Sequence, residues 1–321
     1  MTVRTEEDVY ELVVADRRAE SDTVVSLTLR DPGGAVLPAW SPGAHIDLLL
    51  DTGAVRQYSL CGPPDDGTAW RIAVLREPGG RGGSAHIHTA MAPGSRLRVR
   101  GPRNHFVLEP AERYLFLAGG IGITPLLPMI REAAARGAAW RLLYGGRSRS
   151  TMALLDEVAA LASYDGQVVI APQDEQGPLD LAAFLGPPEP GTLVYCCGPA
   201  GLLDAAREAC AAWPEGTLRT ESFTPVEAAQ DGDTAFEVEL ARSGLTLQVP
   251  PDRSILVTAL DAGVPVLYSC TAGTCGTCET DILSGEADHR DTVLTAAEQQ
   301  ANQTMMICVS RCRGDRLVLD L

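Results

Sequence analysis

Four cysteines carry the most specific chemistry in the sequence. Cys270, Cys275 and Cys278 form C-x4-C-x2-C, and Cys308 follows after 29 intervening residues. That is the plant-type spacing for a [2Fe–2S] cluster, which needs four thiolates, three from one tight loop and one from a distant segment. Gly273 and Gly276 let such a loop take left-handed backbone angles and aim amide N–H groups at the sulfurs. A four-cysteine zinc site is the alternative, but zinc sites usually use two C-x2-C knuckles and only one pair here has that separation. Cys312 is a rival fourth ligand, with Cys308 preferred on spacing. Cys61, Cys196 and Cys210 read as packing thiols.

A second group suits a nicotinamide nucleotide. The apolar run Tyr114 to Ala118 enters Gly119-Gly-Ile-Gly-Ile-Thr-Pro125, in which Gly119, Gly120 and Gly122 allow close approach of a pyrophosphate to a helix start. Thr124 is placed to cap that helix and Pro125 to occupy its first position. The turn departs from G-x-G-x-x-G, and by itself fits an ordinary strand-to-helix turn as well. Tyr195-Cys-Cys-Gly-Pro-Ala-Gly-Leu202 is a second strand end followed by a turn, and two adjacent strand ends make a ligand crevice. Past the first turn, where an acid would hold a ribose diol, Gly145-Gly-Arg147-Ser-Arg149 offers two arginines, a charge preference for NADPH. Both arginines also fit a solvated surface.

A third group lies nearer the start. Arg56-Gln-Tyr58-Ser59-Leu60 and Arg81-Gly82-Gly83-Ser84 suit a phosphate-bearing aromatic ring. Successive amides of Gly82, Gly83 and Ser84 form an anion nest, and Arg56 and Arg81 neutralise a dianion. Tyr58 offers a ring face, and Ser59 a hydroxyl for a flavin N5. A hairpin turn with two surface arginines fits these residues equally.

The elements that must hold these groups fall into three blocks. Val24 to Leu29, His45 to Leu50 and Trp70 to Leu75 alternate between Pro/Gly turns, the pattern of an antiparallel β-barrel. From Tyr114, strands at 114–118, 140–144, 167–171 and 192–196 alternate with helices, which predicts an α/β domain with a parallel sheet. The polar stretch Thr224 to Thr234 lacks periodicity and reads as a linker. Beyond it, runs at 236–240 and 245–249 flank a turn, and a short helix follows that Ser254 can cap and Gly263 can end.

Composition narrows the function. All 26 basic residues are arginine, which excludes a pyridoxal Schiff base and the lysine of a P-loop nucleotidase. A net charge of −16 makes nucleic acid an unsuitable partner. The longest apolar stretch, Tyr114 to Ile130, is broken by glycine and proline, so no membrane span is expected. The opening MTVRTEEDVYEL has acids where a secretory signal is basic. A cytoplasmic protein with reduced cysteines is the expectation.

Along nearly its whole length the chain resembles the phthalate dioxygenase reductase and vanillate demethylase reductase family. The likeness rests on R-x-Y-S at Arg56, Tyr58 and Ser59, R-G-G-S at 81–84, G-G-x-G-x-T-P at 119–125, C-G-P at Cys197, Gly198 and Pro199, and the cysteine loop. It implies an FMN-binding barrel (1–110), an NAD(P)-binding α/β domain (111–226), a linker (227–235) and a β-grasp ferredoxin domain (236–321). It further implies that the first two motifs bind FMN and the next two the pyridine nucleotide. Phe223 of Glu221-Ser-Phe223 would lie near the flavin, and Cys197 would position the nicotinamide without acting as a nucleophile. NADH is favoured by the family and NADPH by Arg147 and Arg149.

The expected activity is electron transfer from NADH or NADPH through FMN and a [2Fe–2S] cluster to a separate oxygenase, of Rieske type or, second, a cytochrome P450. From Asp231 to Leu321 there are 14 acidic residues and 6 arginines, which predicts salt-sensitive docking on a basic partner face. The competing functions are a non-catalytic redox sensor or carrier, which needs neither flavin nor nucleotide, and a self-sufficient flavin monooxygenase.

Overall fold

The computed structural model describes residues 9–80, 82–161, 167–224, 226, 228–268 and 270–321. These form two compact units, 1–220 and 221–321.

The first unit begins with six antiparallel strands: β1 (Val9–Ala19), β2 (Val24–Arg30), β3 (His45–Leu49), β4 (Val55–Ser59), β5 (Trp70–Leu75) and β6 (Arg96–Arg103). Their order is β4-β3-β6-β1-β2-β5, and a bridge between Leu60 and Ile72 joins the two edges into a barrel. Closure removes the exposed edges that an open sheet would present. Leu12, Leu27, Ile46, Leu48, Trp70 and Val99 fill it, each at most 1% exposed. Helix α1 (Gly83–Ala90) interrupts the barrel between β5 and β6.

Next comes β7 (Arg113–Gly119), α2 (Ile123–Ala135), β8 (Ala139–Gly146), α3 (Leu155–Leu161), β9 (Val168–Pro172), α4 (Gln173–Gln176), α5 (Leu181–Leu185), β10 (Thr192–Gly198), α6 (Ala200–Ala209) and β11 (Leu218–Ser222). The sheet order is β11-β10-β7-β8-β9, and β7 runs parallel to both neighbours. Every residue of β7 after Arg113 is buried, as a central strand covered on both faces requires. The barrel and this sheet share one apolar cluster, in which Val24, Cys61 and Ala73 join Phe116, Leu126, Ile130 and Tyr195. Beside it, Glu157 of α3 receives both Arg71 of β5 and Arg131 of α2.

His45, at the start of β3, is 3% exposed. Its ring stacks on His105 at 5.9 Å. Burial, followed by the positive charge of Arg103, lowers its pKa to about 3, against a smaller opposing pull from Asp47. Between about pH 6.5 and 3 the unfolded chain therefore binds a proton that the folded chain refuses. The first unit should lose about 2 kcal/mol from this site as pH falls from 7 to 5. Urea unfolding at the two pH values checks this, because His45→Leu should flatten that part of the slope.

The second unit holds β12 (Phe236–Leu240), β13 (Leu245–Val249), α7 (Ile255–Asp261), β14 (Glu279–Ser284), β15 (Ala287–Asp288), α8 (Ala296–Ala301), β16 (Thr304–Met306), β17 (Arg311–Cys312) and β18 (Arg316–Leu319). Its main sheet is ordered β13-β12-β18-β14-β16, with β12 and β18 parallel at the middle. The Ser254 hydroxyl accepts from the Val257 N–H at 3.2 Å to cap α7, and Gly263 ends that region at φ +80°. The polar stretch read as a linker is tied to this unit. The Val226 N–H donates to Ala272 O at 2.9 Å, Arg290 forks onto Asp233, and the buried Arg311 donates to Thr234 O at 3.0 Å. No helix among the described residues is long and apolar enough to cross a membrane.

Candidate functional site

The cysteine loop runs between α7 and β14. Gly273 and Gly276 take φ +70° and +74° there, as the glycines in this loop led us to expect. The Ala272 N–H donates to Cys270 Sγ at 3.3 Å. Cys275, Cys278 and Cys308 are each at most 4% exposed. The Cys275 thiol is pushed up first by the Cys270 sulfur beside it and then by burial. Cys308, pulled down by Cys270, is pushed up on balance by the Cys278 sulfur and burial. Cys270 thus lies beside Cys275 and Cys308, and Cys278 beside Cys308. Among the described residues, no group of three or more His, Cys, Asp or Glu side chains is arranged to hold a metal ion. The fit to a cluster rests instead on the turned loop, its N–H···S contact and the grouped sulfurs. Cys312 stands apart on β17: burial raises its thiol, and its nearest influences are Gly314, Arg316, Asp315 and Glu286. Cys61 and Cys196 are fully buried, and burial raises them to about 11 and about 12, which makes them unreactive thiols.

The nucleotide motifs meet at the ends of β7 and β10, where Cys197 pairs with Ala118. A Cβ on Gly122 would lie 2.1 Å from Cys197 O, and one on Gly119 would lie 2.7 Å from Pro199 Cδ. Both turns are glycine-lined because their backbones touch. Gly120, at φ +55°, opens a single 3-10 turn that leads into α2. That turn starts the helical path early, so two expectations need correction. Thr124 is not the cap, since its hydroxyl donates to Ile121 O at 2.9 Å, and Gly122 precedes the helix without a side-chain cap. Pro125 is the third residue of α2, still within the first turn, where a missing N–H costs no helical bond.

Arg147 and Arg149 follow β8, the strand beside β7. Glu175 of α4 accepts from Arg149 Nε at 3.2 Å and Nη2 at 3.0 Å. The sequence reading missed this acid, which lies 26 residues from its partner. Only the turn from β9 into α4 brings it there.

The flavin motifs occupy β4 and the start of α1. Ser59, 4% exposed, has a buried Oγ with no hydrogen-bond partner among the described residues. Burial raises the Tyr58 hydroxyl well above its usual range. Gly82 precedes α1 at φ +78°, with no side-chain cap. A Cβ on Gly83 would lie 2.3 Å from Arg56 Nε, so the guanidinium lies against the helix start. There, unpaired amides and a positive dipole end favour an anion. The Ser84 hydroxyl accepts from the Glu77 N–H at 3.1 Å, leaving its amide for the nest. Arg81 lies outside the described residues. Phe223 follows β11 and is 41% exposed. The buried Ser59 hydroxyl and the Arg56 guanidinium lying against the side-chain-free Gly83 at the start of α1 fit a flavin ring and phosphate.

Two family models match the chain: an oxidoreductase NAD-binding domain over residues 116–208 and a 2Fe-2S iron-sulfur cluster binding domain over residues 238–313. Phenoxybenzoate dioxygenase subunit beta of Ectopseudomonas oleovorans is 43% identical over 94% of this chain and 94% of its own length. Among solved structures, phthalate dioxygenase reductase, described as a modular structure for electron transfer from pyridine nucleotides to [2Fe-2S], superposes with a TM-score of 0.72 at 38% identity over 98% of both chains. An intact type IV self-sufficient cytochrome P450 monooxygenase superposes with a TM-score of 0.89 at 45% identity, covering 98% of this chain and 41% of that one. The chain thus spans less than half the length of that P450.

Proposed function

The chain belongs to the family of phthalate dioxygenase and vanillate O-demethylase reductases, and from that premise we propose that it passes electrons from NAD(P)H through FMN and a [2Fe–2S] cluster to an oxygenase on another polypeptide. What carries the reading is the presence on one chain of the touching glycine turns, with Gly122 against Cys197, and the four-cysteine loop.

When bound, the flavin takes a two-electron hydride and gives electrons up one at a time to the cluster. The protein binds and orients. Gly119, Gly120, Gly122, Thr124 and Pro125 form the pyrophosphate turn. Cys197, Gly198 and Pro199 would hold the nicotinamide, with Cys197 as a positioning group. Arg56 and the amides of Gly82, Gly83 and Ser84, with Arg81, hold the FMN phosphate. Tyr58 would cover the ring, Ser59 would donate to N5, and Phe223 is the aromatic that the family likeness assigns to the flavin. Cys270, Cys275, Cys278 and Cys308 ligate the irons. The corresponding domains are 1–110, 111–226 and 236–321, with 227–235 between them, in a cytoplasmic protein whose thiols stay reduced.

Anaerobic titration with NADH should bleach the flavin and cluster absorbance together, and the protein should reduce cytochrome c. A protein bleached by neither NADH nor NADPH would overturn the reading and leave the non-catalytic carrier. The favoured acceptor is a Rieske-type oxygenase. The 45% likeness to a self-sufficient P450 supports a P450 as the second reading, and turnover with each oxygenase class separates them.

A further inference from the structure

We infer that Glu175 is a specificity residue that holds the nucleotide site to NADH by occupying the arginine a 2′-phosphate would need. This rests on the reading above, that the nucleotide lies across the ends of β7 and β10.

In an open parallel sheet the adenosine ribose lies at the end of the strand next to the glycine turn, where an acid or an arginine distinguishes the two nucleotides. That strand is β8, and Arg147 and Arg149 follow it. Considered along the chain they supply two positive charges and no acid. In the fold, β9 lies beside β8 and ends in Pro172, and α4 starts immediately after it. The turn into α4 brings two acids to the arginines. Glu175 takes Arg149 through two of its guanidinium nitrogens, and the Asp174 N–H donates to Arg147 O at 3.2 Å. That backbone bond holds α4 beside the turn after β8, and the ion pair it brings together is Arg149 with Glu175.

A 2′-phosphate reaching for Arg149 would have to displace Glu175 and would leave that carboxylate beside a dianion. A 2′-hydroxyl meets no such conflict, because it can donate to a carboxylate. The side chains of Arg149 and Glu175 are 52% and 46% exposed, so the pair is not a stability element. Removing its negative charge should therefore alter nucleotide choice without unfolding the protein.

The test is steady-state ferricyanide reduction by the flavin- and cluster-loaded full chain, with kcat/KM measured for NADH and NADPH. The wild type should prefer NADH. Glu175→Gln, which keeps the shape and loses the charge, should raise kcat/KM for NADPH about tenfold while NADH falls by no more than about threefold. Arg149→Ala in the Glu175→Gln background should cancel the gain, and added salt should shrink it. A wild type that prefers NADPH, an unchanged ratio in Glu175→Gln, or a gain that survives Arg149→Ala would overturn the inference. A wild type whose flavin neither nucleotide bleaches would instead sink the functional reading beneath it.

Discussion

Alanine at position 122 should slow NADH-driven flavin reduction by about 100-fold or more, the scale of loss when reacting groups are misplaced by about 1 Å. Gly122 has φ −61°, which any residue adopts, so the effect is steric and not conformational. The added Cβ would stand 2.1 Å from Cys197 O, 2.4 Å from Cys197 C and 2.8 Å from Gly198 N. All three are backbone atoms, and no side-chain rotation relieves them. The two turns must part, and the groups proposed to place the nicotinamide move with them. Gly120→Ala is the informative control. Gly120 has φ +55° but nothing within 4 Å of its Cβ position, so alanine there costs about 1–2 kcal/mol of left-handed strain without pushing the turns apart. Stopped-flow bleaching with NADH should show a far larger defect in Gly122→Ala than in Gly120→Ala. Dithionite should still reduce the flavin and cluster of both. Equal defects would mean that contact between the turns is not what sets the rate.

Cys308→Ser should remove the visible cluster absorbance, while Cys312→Ser should leave it intact. Cys308 interacts with the Cys270 and Cys278 sulfurs. Cys312 accepts instead from the Gly314 N–H at 3.3 Å. Losing one thiolate of four leaves an iron without a ligand that a serine hydroxyl, a harder and less acidic donor, replaces poorly. In the Cys308→Ser protein NADH should still bleach the flavin, because the nucleotide and flavin motifs lie in the other unit. Electron delivery to cytochrome c should fall to about one per cent, a loss of about 100-fold, since the one-electron outlet is gone. If Cys312→Ser bleached the cluster and Cys308→Ser did not, the fourth ligand would be reassigned.

The features legible in the sequence are those set by local rules. The alternation of Phe236–Leu240 and Leu245–Val249 marks β12 and β13 to the residue; in β12 every apolar position is buried, while in the edge strand β13 burial deepens only toward Val249. Tyr114 to Ala118 announces a strand buried on both faces, and Ser254 announces the cap it makes. Thr124 misled because an N-cap is inferred from the first residue of a helix, and the preceding 3-10 turn moved that boundary. Glu175 was invisible for a different reason. Its partner is chosen by the way one loop folds back on the neighbouring strand, and nothing in the spacing of the two residues encodes that. The polar stretch before Phe236 has linker composition, yet the Arg290–Asp233 fork holds it, a pairing that composition does not reveal.

The apolar cluster that takes Val24, Cys61 and Ala73 from the barrel and Phe116, Leu126 and Ile130 from the parallel sheet limits how such reductases can be recombined. A crossover between two homologues near residue 110 would mate two halves of a close-packed interior that were never fitted to each other, with voids or clashes across the seam. A crossover past β11 leaves that interior whole. Viable hybrids should therefore inherit the flavin and nucleotide halves from one parent and exchange only the iron–sulfur module.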